Sequence, residues 1–100
     1  MLGLSMNGAG IAQELSFLKL STQNGLSDNK VNIARLDKNG LMWVGTDNGL
    51  NCFDGYTIKK FFREDHPAMG SNTINNILCD PKNRLWISWP EGGACMLDEN

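Results

Sequence analysis

The chain has 100 residues, of which 41% are hydrophobic and 20% charged, with a formal net charge of −2. That weak acidity lacks the basic footprint needed to hold nucleic acid or an anionic lipid surface, and one His with three Cys leaves little for a metal cage or a disulfide framework. The 12 Asn and 11 Gly tolerate positive φ and cap turns, so the composition predicts many short elements joined tightly rather than long helices.

Residues 1–13 carry no charge, and the first ionisable side chain is Glu14. The small residues from Gly8 to Ala12 are similar to the end of a secretory signal, but a basic leading segment is missing and Asn7 interrupts the apolar stretch. Two readings stand for 1–13: a signal-peptide remnant or a disordered tail. No apolar run reaches the ~20 residues of a membrane-spanning helix, so no membrane contact is expected within this segment. A lone N-terminal strand is predicted within 14–24, at Phe17–Leu20.

The next elements form one unit over residues 25–67. Val31–Leu36 alternates in the manner of a strand and is followed by Asp37-Lys38-Asn39-Gly40, whose Asn-Gly suits a hairpin turn. Leu41–Thr46 is the second strand, Asp47-Asn48-Gly49 the second turn, Leu50–Phe53 the third strand, Asp54-Gly55 a turn, and Tyr56–Phe62 the fourth strand. The first strand is expected to be buried on both faces. Lys59 and Lys60 mark the fourth as an exposed edge, where charge discourages further strand addition.

Residues 68–100 repeat this order. Sliding the chain by 43 residues aligns Asn29 with Asn72, Asn32 with Asn75, Asp37 with Asp80, Trp43 with Trp86, Gly49 with Gly92 and Cys52 with Cys95. Ile74–Cys79, Arg84–Trp89 and Ala94–Leu97 are the strands of the second unit, and its fourth falls beyond Asn100. A period in the low forties in a Gly- and Asn-rich chain is that of four-stranded propeller blades. The fold class expected is all-β: about two antiparallel blades, the second lacking its outer strand, as an open fragment of a larger propeller.

The chain resembles the two-component regulator propeller repeats, which form the periplasmic sensor region of bacterial hybrid histidine kinases. The resemblance rests on Gly25-Leu26-Ser27-Asp28-Asn29-Lys30-Val31, on Asp37 through Thr46 with Trp43-Val44-Gly45-Thr46 at its end, and on Asp47 through Tyr56. Ser71-Asn72-Thr73-Ile74, Asp80 and Arg84-Leu85-Trp86-Ile87 carry it in the second unit. There Ser88 and Trp89 replace the usual Gly-Thr, and Gly93 replaces the expected Leu. The resemblance implies a noncatalytic segment for ligand recognition in a periplasmic (extracytoplasmic) sensor, with an extracellular, glycan-type signal. The partners it implies are the remaining blades of a longer receptor and an oligosaccharide ligand. The alternative is a structural, oligomer-forming propeller fragment with no ligand of its own, in which each Phe17–Leu20 strand completes a neighbour's second blade.

Individual residues favour structural roles. Trp43 and Trp86, repeated at mid-strand, are expected to pack between blades, while Trp89 has no repeat counterpart and is the one candidate for ligand contact. Cys52 and Cys95 are expected at equivalent positions of adjacent blades, too far apart for a disulfide. Asp37 and Asp80, with Asp47 and Asp54, stand at turns, and Asn29 and Asn72 lead into the inner strands. Asp37-Lys38-Asn39-Gly40 is superficially similar to a calcium loop, but Asn48 stands where the bidentate acid belongs. His66 has no nucleophile or carboxylate at motif spacing. Neither catalytic residues, a metal site nor a cofactor are expected.

Overall fold

The computed structural model describes residues 25–97. The expected tail at 1–13 and the expected strand at Phe17–Leu20 lie outside the described residues. Seven strands follow in chain order: β1 (Val31–Leu36), β2 (Met42–Thr46), β3 (Gly49–Phe53), β4 (Ile58–Phe61), β5 (Asn76–Cys79), β6 (Leu85–Trp89) and β7 (Gly93–Leu97). They form two antiparallel meanders, β1-β2-β3-β4 and β5-β6-β7. The chain is all-β over the described residues, and the two sheets do not close into a ring.

Strand alternation decides which sides meet. On the first sheet Trp43 pairs with Cys52, and Gly45 with Ile33 and Leu50. That side packs against Ile77, Leu85 and Ile87 of the second sheet, with Phe61, Met69 and Ile74 completing the cluster. The other side of the first sheet holds Met42, Val44 and Phe53 around Leu26. Gly45 allows the sheets to approach: a Cβ there would come within 2.7 Å of Ile74 Cγ2 and 2.8 Å of Ile33 Cγ2.

β1 is not buried on both faces as expected. Val31, Asn32 and Arg35 are exposed and the rest of the strand is half-buried, because β1 is an edge strand bonded to β2 alone. Polar groups on this edge reach the second sheet instead. Arg35 Nε donates to the Ile77 carbonyl at 3.1 Å, and Asn32 Nδ2 donates to the Ile74 carbonyl at 3.2 Å.

The ungapped 43-residue correspondence holds through β6 and then slips. Two residues separate the closing pair Thr46–Gly49 in the first sheet, whereas Pro90, Glu91 and Gly92 separate Trp89 from Gly93 in the second. The longer turn moves every β7 residue one place, and a one-residue shift in a strand reverses its faces. Met96, not Cys95, therefore sits opposite Trp86, and Gly93, not Gly92, occupies the place of Gly49. Cys52 and Cys95 are not at equivalent positions. Both instead line the core between the sheets, and burial pushes the Cys95 thiol pKa up.

Candidate functional site

The repeated aspartates build the same turn twice. Asp37 Oδ1 accepts from the Asn39 and Leu41 amides at 2.8 and 3.0 Å, and its Oδ2 accepts from Trp43 Nε1 at 2.9 Å. Asp80 Oδ1 accepts from the Lys82 and Arg84 amides, each at 2.9 Å, and its Oδ2 accepts from Trp86 Nε1 at 3.0 Å and Arg84 Nε at 2.7 Å. The residue before each second strand's approach is left-handed: Gly40 at φ 84° and Asn83 at φ 58°. Asn is the side chain that tolerates this region best after Gly. Desolvation acts to raise the Asp80 pKa, but the amide, indole and guanidinium donors prevail and hold it well below the usual carboxylate range. Asp54 is engaged likewise, by the Tyr56 and Thr57 amides. Each of these carboxylates is an acceptor closing a turn.

The two tryptophans part company beyond that turn. Trp43 is 2% exposed beneath the second sheet, against the Phe61 ring at 5.6 Å. Trp86 is 36% exposed, so the packing between blades expected of it is not made among the described residues. It points to the opposite side of its sheet from Ile87, and no described element covers that side. Leu78 and Met96 flank it and are exposed as well.

The opposite ends of the strands show a matched replacement. In the first sheet Ser27 Oγ lies 3.0 Å from Thr46 Oγ1, and Asn51 Nδ2 donates to Ser27 Oγ at 2.9 Å while Asn51 Oδ1 accepts from the Ser27 amide at 2.9 Å. Asn51 also donates to the Val44 carbonyl, and both Thr46 and Asn51 are fully buried. At the corresponding places the second sheet has Gly70, Trp89 and Cys95. The Trp89 indole fills the space: a Cβ at Gly70 would meet it at 2.5 Å, and one at Gly93 at 2.2 Å. Trp89 thus packs on the inter-sheet core, half-buried. The candidate ligand contact is a wedge held by two glycines. Gly70 escaped notice in the sequence, although Ser27 and Thr46 both change at the aligned positions, which is the trace of this contact.

The asparagines ahead of the inner strands differ too. Asn72 Oδ1 accepts from the Arg63 amide at 2.7 Å and its carbonyl accepts from the Gly49 amide at 2.6 Å, tying the crossover to the end of the first sheet where β3 starts and β4 finishes. Asn29 is exposed ahead of β1. Gly49, at φ 123°, stands over Ser27 and Phe62, whereas Gly92, at φ 97°, faces open space. His66 packs its ring 5.1 Å from Phe61.

This duplicated turn, with Asp accepting from a Trp six residues later, accompanies a family match. Residues 25–48 and 68–88 match the model of the two-component regulator propeller. The matched stretches take in the first two strands of the first sheet and, through Ser88, the first two of the second, and over them the chain is similar to that family. A 43-residue stretch is also 46% identical to a histidine kinase of Formosa agariphila, Histidine kinase P4. The match covers 43% of this chain and 3% of that protein's length. The Asp-to-Trp bond forms in both sheets, at 2.9 and 3.0 Å, although one Trp is buried and the other exposed. No helix among the described residues is long and apolar enough to cross a membrane.

Proposed function

We propose that the chain is a noncatalytic recognition segment of a two-component signalling receptor, contributing blades to a sensor propeller that responds to an extracellular, glycan-type signal. The observation that carries this reading is the pair of stretches matching the two-component regulator propeller together with the identity to a histidine kinase. In this reading the propeller lies on the extracytoplasmic side and its other blades complete the ligand surface. The carboxylates support a binding role over a hydrolytic one, since Asp37, Asp54 and Asp80 are committed to backbone amides. The test is to titrate purified protein with a panel of oligosaccharides while following its thermal melt and the integrity of each sugar. A saturable rise in Tm with intact sugar supports the reading. Cleavage of the sugar overturns the noncatalytic assignment, and an unmoved Tm across the panel overturns the glycan assignment for this segment.

A further inference from the structure

We infer that Asn39 is a self-modification site: its side chain condenses with the Gly40 amide to a succinimide, which water opens to aspartate or isoaspartate at the tip of the first turn. Asparagine precedes glycine twice among the described residues, at Asn39-Gly40 and Asn48-Gly49. At either place the glycine nitrogen loses its proton and attacks Asn Cγ, and the Cγ–Nδ2 bond breaks as ammonia leaves. Glycine, without a Cβ, leaves that nitrogen open to ring closure. Water then adds to one of the two ring carbonyls. Breaking the new N–Cγ bond gives aspartate in an ordinary main chain. Breaking the original N–C bond routes the main chain through Cβ and Cγ as isoaspartate, one atom longer.

Both asparagine side chains are exposed, so access does not separate the two sites. What holds the glycine amide does. Gly40 N donates to the Asp37 carbonyl of its own turn at 3.2 Å, whereas Gly49 N donates at 2.6 Å to the Asn72 carbonyl of the crossover. Thr73 Oγ1 adds a bond from that crossover to the Asp47 carbonyl at 3.0 Å. Freeing Gly40 takes the opening of one exposed turn, while freeing Gly49 requires the crossover to leave the first sheet. Local openings are populated well above those that separate packed segments. Asn39 therefore reacts and Asn48 is guarded. Asn83 precedes Arg84, and its Oδ1 accepts from the Lys38 amide and the Cys79 thiol at 3.2 and 3.0 Å.

The product acts on the turn that Asp37 closes. Asp37 N donates to the Leu41 carbonyl at 2.9 Å, and Leu41 N donates to Asp37 Oδ1 at 3.0 Å. An extra main-chain atom between them displaces Leu41, and with it the bond from Trp43 Nε1 to Asp37 Oδ2. Lys38 Nζ also reaches the Pro81 carbonyl at 2.6 Å, so the same change loosens the contact between the two sheets at this end. The inference rests on turn geometry and holds whatever signal the propeller reports.

The experiment ages the full chain at mildly alkaline pH, in buffer and in unfolding urea, and follows each asparagine by tandem mass spectrometry that distinguishes aspartate from isoaspartate. In urea Asn39 and Asn48 are expected to convert at comparable rates. In buffer Asn39 is expected to convert several-fold faster than Asn48, with Asn83 slower still. The fraction carrying isoaspartate at position 39 is then melted beside an Asn39→Gln protein aged in parallel, which keeps any change at other sites but does not form the five-membered ring. The isoaspartyl fraction is expected to melt lower. An Asn39 rate in buffer no greater than that of Asn48 overturns the site. Isoaspartyl protein that melts with the aged Asn39→Gln protein overturns the consequence assigned to it.

Discussion

The Trp86 indole N–H donates to Asp80 Oδ2 across 3.0 Å, on a carboxylate that also receives Arg84 Nε and two backbone amides. Four donors stabilise the ionised form, so the folded pKa lies below the ordinary value of 3.8. A depressed carboxylate contributes stability that is complete above its unfolded pKa and disappears as pH falls through the folded one. The pH dependence should therefore be flat near neutrality and steepen downward from about pH 4. Asp80→Asn is expected to lower the urea midpoint at pH 7 and to weaken this acid dependence. Asp54 and Glu64 are shifted in the same direction, Asp54 first by the Thr57 amide and Glu64 first by its own amide. A residual acid slope in the Asp80→Asn protein is thus expected. Denaturation curves between pH 7 and 2 check both outcomes.

The two repeat tryptophans should respond unequally to truncation. Trp43→Ala opens a cavity under the second sheet and is expected to cost about 3–5 kcal/mol, as for large aromatic residues removed from cores. Trp86→Ala removes a side chain 36% exposed and should cost less than half as much. Urea midpoints at constant m-value measure the difference. Equal costs would mean that Trp86 is covered in solution.

Gly70 and Gly93 should resist substitution because of Trp89 and not because of their own backbone. Gly93→Ala drives a methyl to 2.2 Å from the indole, and the destabilisation expected from overpacking is about 1–3 kcal/mol. In a Trp89→Thr background the same change should be nearly silent. Gly92→Ala has room around its Cβ but a φ of 97°, so its cost is a backbone penalty of about 1–2 kcal/mol that Trp89→Thr does not relieve. A double-mutant cycle on thermal melts separates the two causes.

The Ser27–Thr46–Asn51 group, buried at Thr46 and Asn51 and half-buried at Ser27, pins the segment ahead of β1 to the first sheet. Asn51→Leu removes the bond to the Ser27 amide and the bond to Ser27 Oγ while keeping the volume close. The expected loss is about 1–3 kcal/mol per buried group left without a partner. Hydrogen exchange should then speed at the Ser27 amide, with β6 unchanged.

Much of this architecture is written locally. The Asp-to-Trp spacing, the left-handed positions at Gly40 and Asn83, and the apolar alternation from Met42 to Phe53 are set within a few residues of each other, where backbone sterics and hydrogen bonding act. From these, two blades of the propeller family follow directly. Which face each residue presents in β7 does not follow, because one residue more in the turn at Pro90–Gly92 reverses the strand while leaving its composition unchanged. Cys52 matches Cys95 along the chain, yet Met96 takes the equivalent place in space. Burial is less local still. Trp43 and Trp86 share a strand position, a hydrogen bond and a turn, and differ only in whether another sheet lies over them. Trp89 becomes a wedge only because Gly70 and Gly93 leave its volume free. Such properties depend on packing between segments distant in the chain, and there the fold, not the local residue pattern, selects the outcome.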